Sequence, residues 1–401
     1  MKVLQINSFF TVGGPPRIMN GIYDTLKENG FDCKIAAARE KMYAPEDSYR
    51  ICSDTEVKVN ALKARLFDNE GFNAVRETQR LVEYIKEYDP DIIHLHNLHG
   101  YYINIKILFD YLKEANKPVV WTLHDCWAMT GHCAHFVQID CEKWKTGCCS
   151  CPQSREYPSS LLADRSPKNY AGKKSAYGGI KNMTIVAPSN WLASFVPNSM
   201  LKSFSVKAIH NGIDLNMFSY IESDILEKNN LNGKKIILGV AQNWAEKKGL
   251  EDFMKLSEIL DDVYRIVLIG LTQKQLKTLP SNIFGIARTE NVQELIKWYS
   301  TASVFINFTY QDTFPTVNIE ALACGTPVLT YRTGGSPEAI DDTCGWVVEQ
   351  GNIEEAAKII QNMKDKSEYV EACIERSKIF DRKERYLEYI DLYEEILKGN
   401  Q

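Results

Sequence analysis

At 401 residues, 44% hydrophobic and 25% charged, the chain has a globular composition and the length for two or three domains. A net charge of −5 offers no basic excess, so no nucleic-acid partner is expected, and no window approaches the roughly 18–20 apolar residues of a membrane span. The opening MKVLQINSFFTVGG is too polar for a secretory leader, so a cytoplasmic chain, at most peripheral to the inner face of the membrane, is expected, with its eleven cysteines as thiols or metal ligands rather than disulfides.

Lys2 to Asn7 (KVLQIN) reads as a buried strand, Gly13-Gly14-Pro15-Pro16-Arg17 as a turn, and Ile18 to Asn29 as a helix ending at Gly30. Phe31 to Ala37 is a second strand. Strand, glycine turn and helix make one unit of a doubly wound sheet. The paired glycines let backbone come close to a ligand at the strand's carboxyl edge. Residues 40–60 are polar and show no period. A helix over Ala74 to Glu87 leads to the strand Ile92 to Leu95. A second helix, Asn104 to Asn116, leads to the strand Val119 to Leu123. His94, His96, His99 and His124 therefore fall at or near strand ends, where open α/β sheets bind ligands.

Residues 126–178 break this rhythm as a cysteine- and glycine-punctuated insertion. Six of the eleven cysteines lie between Cys126 and Cys151, and six of the seven histidines between His94 and His135. Cys133, Cys141, Cys148 and Cys151 read as a structural zinc knuckle with irregular spacing, in which His132 or His135 is an alternative ligand. Free thiols or a redox pair are the other readings. Strands at Thr184 to Ala187 and Val206 to His210 resume the alternation. The turn Asn211-Gly212-Ile213-Asp214 closes the first half.

A second alternation follows: strands at Ile236 to Ala241, Arg265 to Gly270, Ile283 to Ile286 and Val304 to Phe308, with helices at Gly249 to Leu260 and Val292 to Ser300. In QDTFPTVNIEALACGTPVLTYRTGGSPE, residues 311–338, Asp312 and Glu320 stand eight positions apart. Phe314-Pro315 enforces an extended entry, Thr316 suits a helix N-cap, and Gly325-Thr326-Pro327 stops the helix before a strand at 328–331. Free N–H groups near Thr316 and Val317 suit phosphate, and a carboxylate beside them suits ribose hydroxyls. An ordinary buried helix explains the same pattern. Lys383 to Lys398 reads as an amphipathic terminal helix.

On these residues the chain resembles the family-4, retaining, GT-B-fold glycosyltransferases over nearly its whole length. Asp312 and Glu320 resemble that family's EX7E motif, and EALACGTPV and GGSPE its continuation. Gly13-Gly14 is similar to its phosphate-facing loop, and NGID at 211–214 to the end of its first domain. The block HLHNLHGYY, VVWTLHDCWAMTGHC, CEKWKTGC, CP resembles transferases of colanic-acid, capsule and exopolysaccharide assembly. Two positions depart: the first glutamate is Asp312, and the arginine of the diphosphate grip is Asn243, whereas Lys248 matches its lysine.

The resemblance implies two Rossmann-like doubly wound domains facing across a cleft. Residues 1–212 would bind the acceptor, with the insertion at about 126–178, and residues 213–382 the nucleotide-sugar donor. Residues 383–401 would form a helix packing back on the first domain. It implies transfer with retention and no catalytic cofactor, from a UDP-, GDP- or dTDP-sugar to a glycan or lipid-linked oligosaccharide. His124, Asp312 and Glu320 would be catalytic. Gly13, Gly14, Asn243, Lys248, Thr316, Val317 and Glu320 would hold the donor. His94, His96, His99 and Asp125 would line the acceptor site, Asp125 alternatively orienting His124. A GT-B sugar-nucleotide epimerase and a non-catalytic sugar-binding relative remain alternatives. A metal hydrolase, prompted by His94-x-His96 and His124-Asp125, would leave the Gly-Gly loop and the Asp312/Glu320 pair idle.

Overall fold

A computed structural model describes residues 1–11, 13–39 and 45–399. Residues 40–44 of the unassigned polar stretch, and the last two of the expected terminal helix, lie outside the described residues. The chain forms two compact units, Met1–His210 with the chain from Arg385 onward, and Asn211–Glu384. Among the described residues no helix is long and apolar enough to cross a membrane.

The first unit is built on seven parallel strands: β1 (Lys2–Phe9), β2 (Asp32–Arg39), β3 (Tyr49–Arg50), β4 (Ile92–Leu95), β5 (Val119–Thr122), β6 (Met183–Ala187) and β7 (Ser205–Ala208). Their order is β3-β2-β1-β4-β5-β6-β7. β4 and β5 are buried at every residue, and β1 at all but its ends, as helix-covered parallel strands require. The winding reverses between β1 and β4, so the carboxyl ends of β1, β4 and β5 frame the crevice where such sheets take ligands. Gly13 enters the helix Gly14–Glu28 at φ 104°, and Pro15 and Pro16 occupy its first turn, where a missing N–H costs nothing.

Two elements differ from expectation. A helix at Asp54–Phe67 occupies the stretch that showed no period. Ser53 and Glu56 form a capping box at its start, a local signal present in the sequence. A regular helix at Ser166–Tyr177 also shortens the irregular insertion, which ends near Arg165 rather than at 178.

The terminal helix Arg382–Gly399 buries Tyr386, Tyr389, Ile390, Leu392 and Tyr393 in one apolar cluster with Val3, Ile18, Ile22 and Leu26. Gly21 makes room: a Cβ there would lie 2.1 Å from the Tyr386 ring. Tyr393 OH bonds His94 Nδ1 at 2.6 Å, and Thr122 Oγ1 donates to Tyr389 OH at 3.2 Å. The helix thus completes the sheet's polar network as well as its core.

The second unit has six parallel strands: β8 (Lys235–Val240), β9 (Tyr264–Ile269), β10 (Ile283–Ile286), β11 (Val304–Asn307), β12 (Val328–Tyr331) and β13 (Gly345–Val348), in the order β10-β9-β8-β11-β12-β13. Its switch lies between β8 and β11. The expected doubly wound parallel architecture is present in both units.

Tyr393→Ala is expected to cost about 3–5 kcal/mol of unfolding free energy through the cavity it leaves. Tyr393→Phe should cost about 1–3 kcal/mol by orphaning His94 Nδ1. Denaturant titration of both variants checks the order; a Tyr393→Phe variant as stable as the wild type would show that the hydroxyl is immaterial.

Candidate active site

In the first unit the polar side chains gather at the ends of β1, β4 and β5, and one hydrogen-bond chain fixes their protons. Gln5 Nε2 donates to Met19 O at 3.0 Å, which turns Gln5 Oε1 toward His96 Nε2, 3.0 Å away. That oxygen can only accept, so His96 carries its proton on Nε2 and presents Nδ1 as an acceptor. His124 Nε2 lies 3.0 Å from that Nδ1 and is therefore the donor. His124 is only partly buried, and it lines a small hollow with Asn97, His99, Asp125 and Trp127. Burial pushes its pKa down to about 4, with His99 adding to the shift and Asp125 opposing it. At neutral pH it is an uncharged imidazole with a defined tautomer.

His94 does not line this hollow, whereas His96 borders it. Both are buried. Both nitrogens of His94 are bonded, Nε2 to Thr122 Oγ1 at 2.8 Å and Nδ1 to Tyr393 OH. Both nitrogens of His96 are bonded as well. The two ring centroids lie 4.2 Å apart with the planes tilted by 34°, and burial drives His94 down to about 3 and His96 well below its usual value. They support His124 from behind. Asp125 does not orient His124. Its Oδ2 accepts from His99 Nε2 at 2.7 Å, and its Oδ1 from the Trp127 N–H at 2.8 Å. Burial would raise this carboxyl, but the charge and hydrogen bond of His99 hold it below the usual range. His99 Nδ1 also meets Tyr157 OH at 2.8 Å, so His99 is a link between β4 and the insertion.

In the second unit the expected donor residues converge. Gly249 follows Lys248 at φ 72°, and a Cβ there would come within 2.3 Å of Phe308 O. Glycine thus lets the Lys248 turn press against the end of β11. Lys248 Nζ then lies 2.8 Å from Asp312 Oδ2 and 3.5 Å from Thr309 Oγ1. Glu320, on the helix Thr316–Ala323, is buried, with Tyr299 OH donating to its Oε2 at 3.1 Å and Thr316 Oγ1 to its Oε1 at 3.4 Å. The expected N-cap at Thr316 is displaced by one residue. Pro315 occupies the cap, Thr316 is the first helical residue, and no side chain caps the helix. A buried chain, Asn307 to Asn318 to Ser336 to Thr330, ties this helix to β11, β12 and the Gly334-Gly335 loop. Asn243 is exposed on the loop after β8. Gln5, Thr309 and Tyr299 were not expected at the site. Gln5 was the one visible signal, a polar residue between the apolar Leu4 and Ile6.

The four cysteines of the expected knuckle all line one hollow in the insertion, together with His132. Among the described residues, no three His, Cys, Asp or Glu side chains are placed so that they could hold a metal ion as they stand.

The pattern described as Glycosyltransferase Family 4 matches residues 12–217, and that described as Glycosyl transferases group 1 matches residues 222–380. The chain is 26% identical over 376 residues to WcaC of Escherichia coli K12, a glycosyl transferase named for colanic acid biosynthesis, with 90% of each chain covered. Among solved structures it is similar to sucrose-phosphate synthase from Thermosynechococcus elongatus, at a TM-score of 0.72 and 16% identity over 99% of each chain. It is also similar to Anabaena HepE, solved with UDP, at a TM-score of 0.69 and 14% identity over 98% of this chain and 100% of that one. These similarities establish the GT-B fold.

Both His94 and His124 have folded values below the unfolded value of 6.5. The stability they confer is full above pH 6.5 and drains as pH falls from there toward 4. Ring-proton NMR should find His124 still neutral at about pH 5, and denaturant midpoints should fall across that window. Stability unchanged between about pH 7 and pH 4.5 would rule out this buried neutral arrangement.

Proposed function

Because the chain belongs to glycosyltransferase family 4, we propose that it moves a sugar from a nucleoside-diphosphate sugar onto a growing surface polysaccharide, with retention at the anomeric carbon. The observation that carries this reading is the set of Lys248, Asp312 and Glu320 at the carboxyl end of one parallel sheet. Lys248 and Asp312 are 64 positions apart in sequence, with their charged atoms at 2.8 Å.

The chemistry needs two things. A diphosphate leaving group must be neutralised as its bond to the sugar breaks, and the oxocarbenium-like sugar must be stabilised. Lys248 supplies a point charge, and the uncapped start of the helix Thr316–Ala323 supplies oriented N–H groups at Thr316 and Val317. Together they do without a divalent cation. Asp312 keeps Lys248 in place until the donor's phosphates compete for it, and it then stands beside the sugar hydroxyls. Glu320, held by Tyr299, accepts from the ribose. Asn243 can donate a hydrogen bond where the family carries a charge, so Lys248 bears more of the phosphate interaction here.

In the first unit, Gly13-Gly14 offers backbone N–H groups to the phosphates. His124 faces the sugar and the acceptor hydroxyl as a neutral group. The acceptor is a glycan or a lipid-linked oligosaccharide. Leu161 and Leu162, 64% and 79% exposed beside the exposed Lys63 and Arg65, suit one presented at a lipid surface. UDP is the favoured base, since HepE was solved with UDP and with UDP-glucose.

Thermal unfolding with UDP-, GDP- and dTDP-sugars tests the donor. The correct one, at a hundred times its Kd, should stabilise the chain by about 2.7 kcal/mol. Glu320→Ala and Lys248→Ala should each lower transfer by about 10²–10³-fold while the circular dichroism spectrum is retained. Transfer that persists unchanged in both variants would refute the assignment. UDP released only with acceptor present separates a transferase from an epimerase.

A further inference from the structure

The insertion between β5 and the helix Ser166–Tyr177 has a feature that sugar transfer does not use. From Cys126 to Arg165 its only regular elements are three single-turn 3-10 helices, Trp127–Met129, Val137–Ile139 and Lys143–Lys145. Trp127, Met129, Phe136 and Trp144 anchor it to the main core, Phe136 and Trp144 stacking at 4.6 Å. A loop of this length with so little regular structure needs a cross-link to hold one conformation.

The side chains for such a link are gathered in one place. Cys133, Cys141, Cys148 and Cys151 line a single hollow. Cys133 donates a hydrogen bond to Cys151, and Cys148 lies within electrostatic reach of both Cys141 and Cys151. Two of the sulfurs also accept backbone N–H groups. The Gly131 N–H lies 3.2 Å from Cys148 Sγ, and the Gln153 N–H bonds Cys151. Ser150, inside the Cys148-x-x-Cys151 turn, has φ 44°, and Lys143 Nζ holds the carbonyls of Cys149 and Ser150 at 2.9 and 3.1 Å. The turn is therefore already folded so that both of its sulfurs receive amides.

A second observation is independent of the thiols. His132 also lines the hollow, is 2% exposed, and has an Nε2 atom without a hydrogen-bond partner. Its Nδ1 is fixed by Asp68 Oδ1 at 2.5 Å. A buried histidine anchored by a carboxylate, with its other nitrogen turned into a sulfur-lined space, is the usual outer arrangement around a metal site. Lys173, also fully buried, sits within reach of Cys148 and Cys133, where its charge complements anionic sulfur.

We propose that this hollow is a structural site for a soft divalent cation of the zinc class, with Cys133, Cys141, Cys148 and Cys151 as ligands and His132 lining the same space beside them. The sulfurs draw in to about 2.3 Å from the metal. Four thiols give up four protons as four metal–sulfur bonds form, the Cys133–Cys151 hydrogen bond is lost, and no electron moves. Four thiolates saturate a tetrahedral ion, which leaves no open position for chemistry. The site locks the insertion that carries Tyr157 and directly follows Asp125, the two partners of His99.

The test is elemental analysis of the full chain, purified with reductant and without chelator, followed by replacement of the bound metal with cobalt. About one zinc per chain is expected, with a thiolate-to-cobalt charge-transfer band in the exchanged protein. Cys148→Ser and Cys151→Ser should lose the metal, whereas Cys149→Ser should keep it. If the ligand variants do not fold, stepwise thiol modification of the wild-type chain should release zinc in proportion to the thiols blocked. Metal-free protein whose reduced form binds neither zinc nor cobalt overturns the proposal. So does a Cys133–Cys151 disulfide in protein kept reduced, which would make these thiols a redox pair. Loss of metal from Cys149→Ser with retention in Cys148→Ser would overturn the ligand set. Sugar transfer is not the readout, so failure here leaves the reading of the donor site untouched.

Discussion

A parallel strand buried on both faces has no solvent side on which to place a polar group. This constraint governs both units. β4, β5, β11 and β12 are buried at every residue, so their functional side chains collect at the carboxyl ends or just beyond. There backbone amides, helix starts and charged groups converge. His124 two residues past the end of β5, and Lys248 and Asp312 past β8 and β11, all follow from it. A polar side chain that does lie inside a strand costs least when its polar atoms are bonded. His94 meets that condition with Thr122 and Tyr393, and Gln5 with Met19 and His96.

The same low-dielectric setting decides protonation. In a chain of imidazoles beside an uncharged glutamine desolvation outweighs the one opposing charge, Asp125 near His124, and the rings stay neutral. The Lys248–Asp312 pair differs because both side chains keep some solvent contact. It can therefore be opened by a ligand without stranding a buried charge. One unit thus offers a fixed uncharged tautomer, and the other an exchangeable ion pair.

Glycine and proline punctuation made much of the fold legible. The alternation of strands and helices, the Gly13-Gly14 entry and the stop at Gly325 are local, and local sequence carries them. The helix Asp54–Phe67 was hidden because its apolar positions are sparse, with only Val57, Asn60 and Ala64 buried, although Ser53 and Glu56 marked its start. Thr316 misled for a local reason too. A hydroxyl residue after proline looks like a cap, but Pro315 already has the extended backbone a cap needs.

The sequence by itself determined the doubly wound class, the paired carboxylates Asp312 and Glu320, and the grouping of cysteines, because spacing and periodicity are properties of neighbours along the chain. Which groups meet across tens of residues was decided only by the tertiary structure. Asp125 went to His99 rather than to the adjacent His124, because a side chain at a strand end points away from its neighbour and bonds whatever the next loop brings. His94 was withdrawn from the surface by Tyr393, some 300 residues later, a contact that no local pattern encodes. Lys248 reached Asp312 because Gly249 leaves room for the Lys248 turn against Phe308, just past β11.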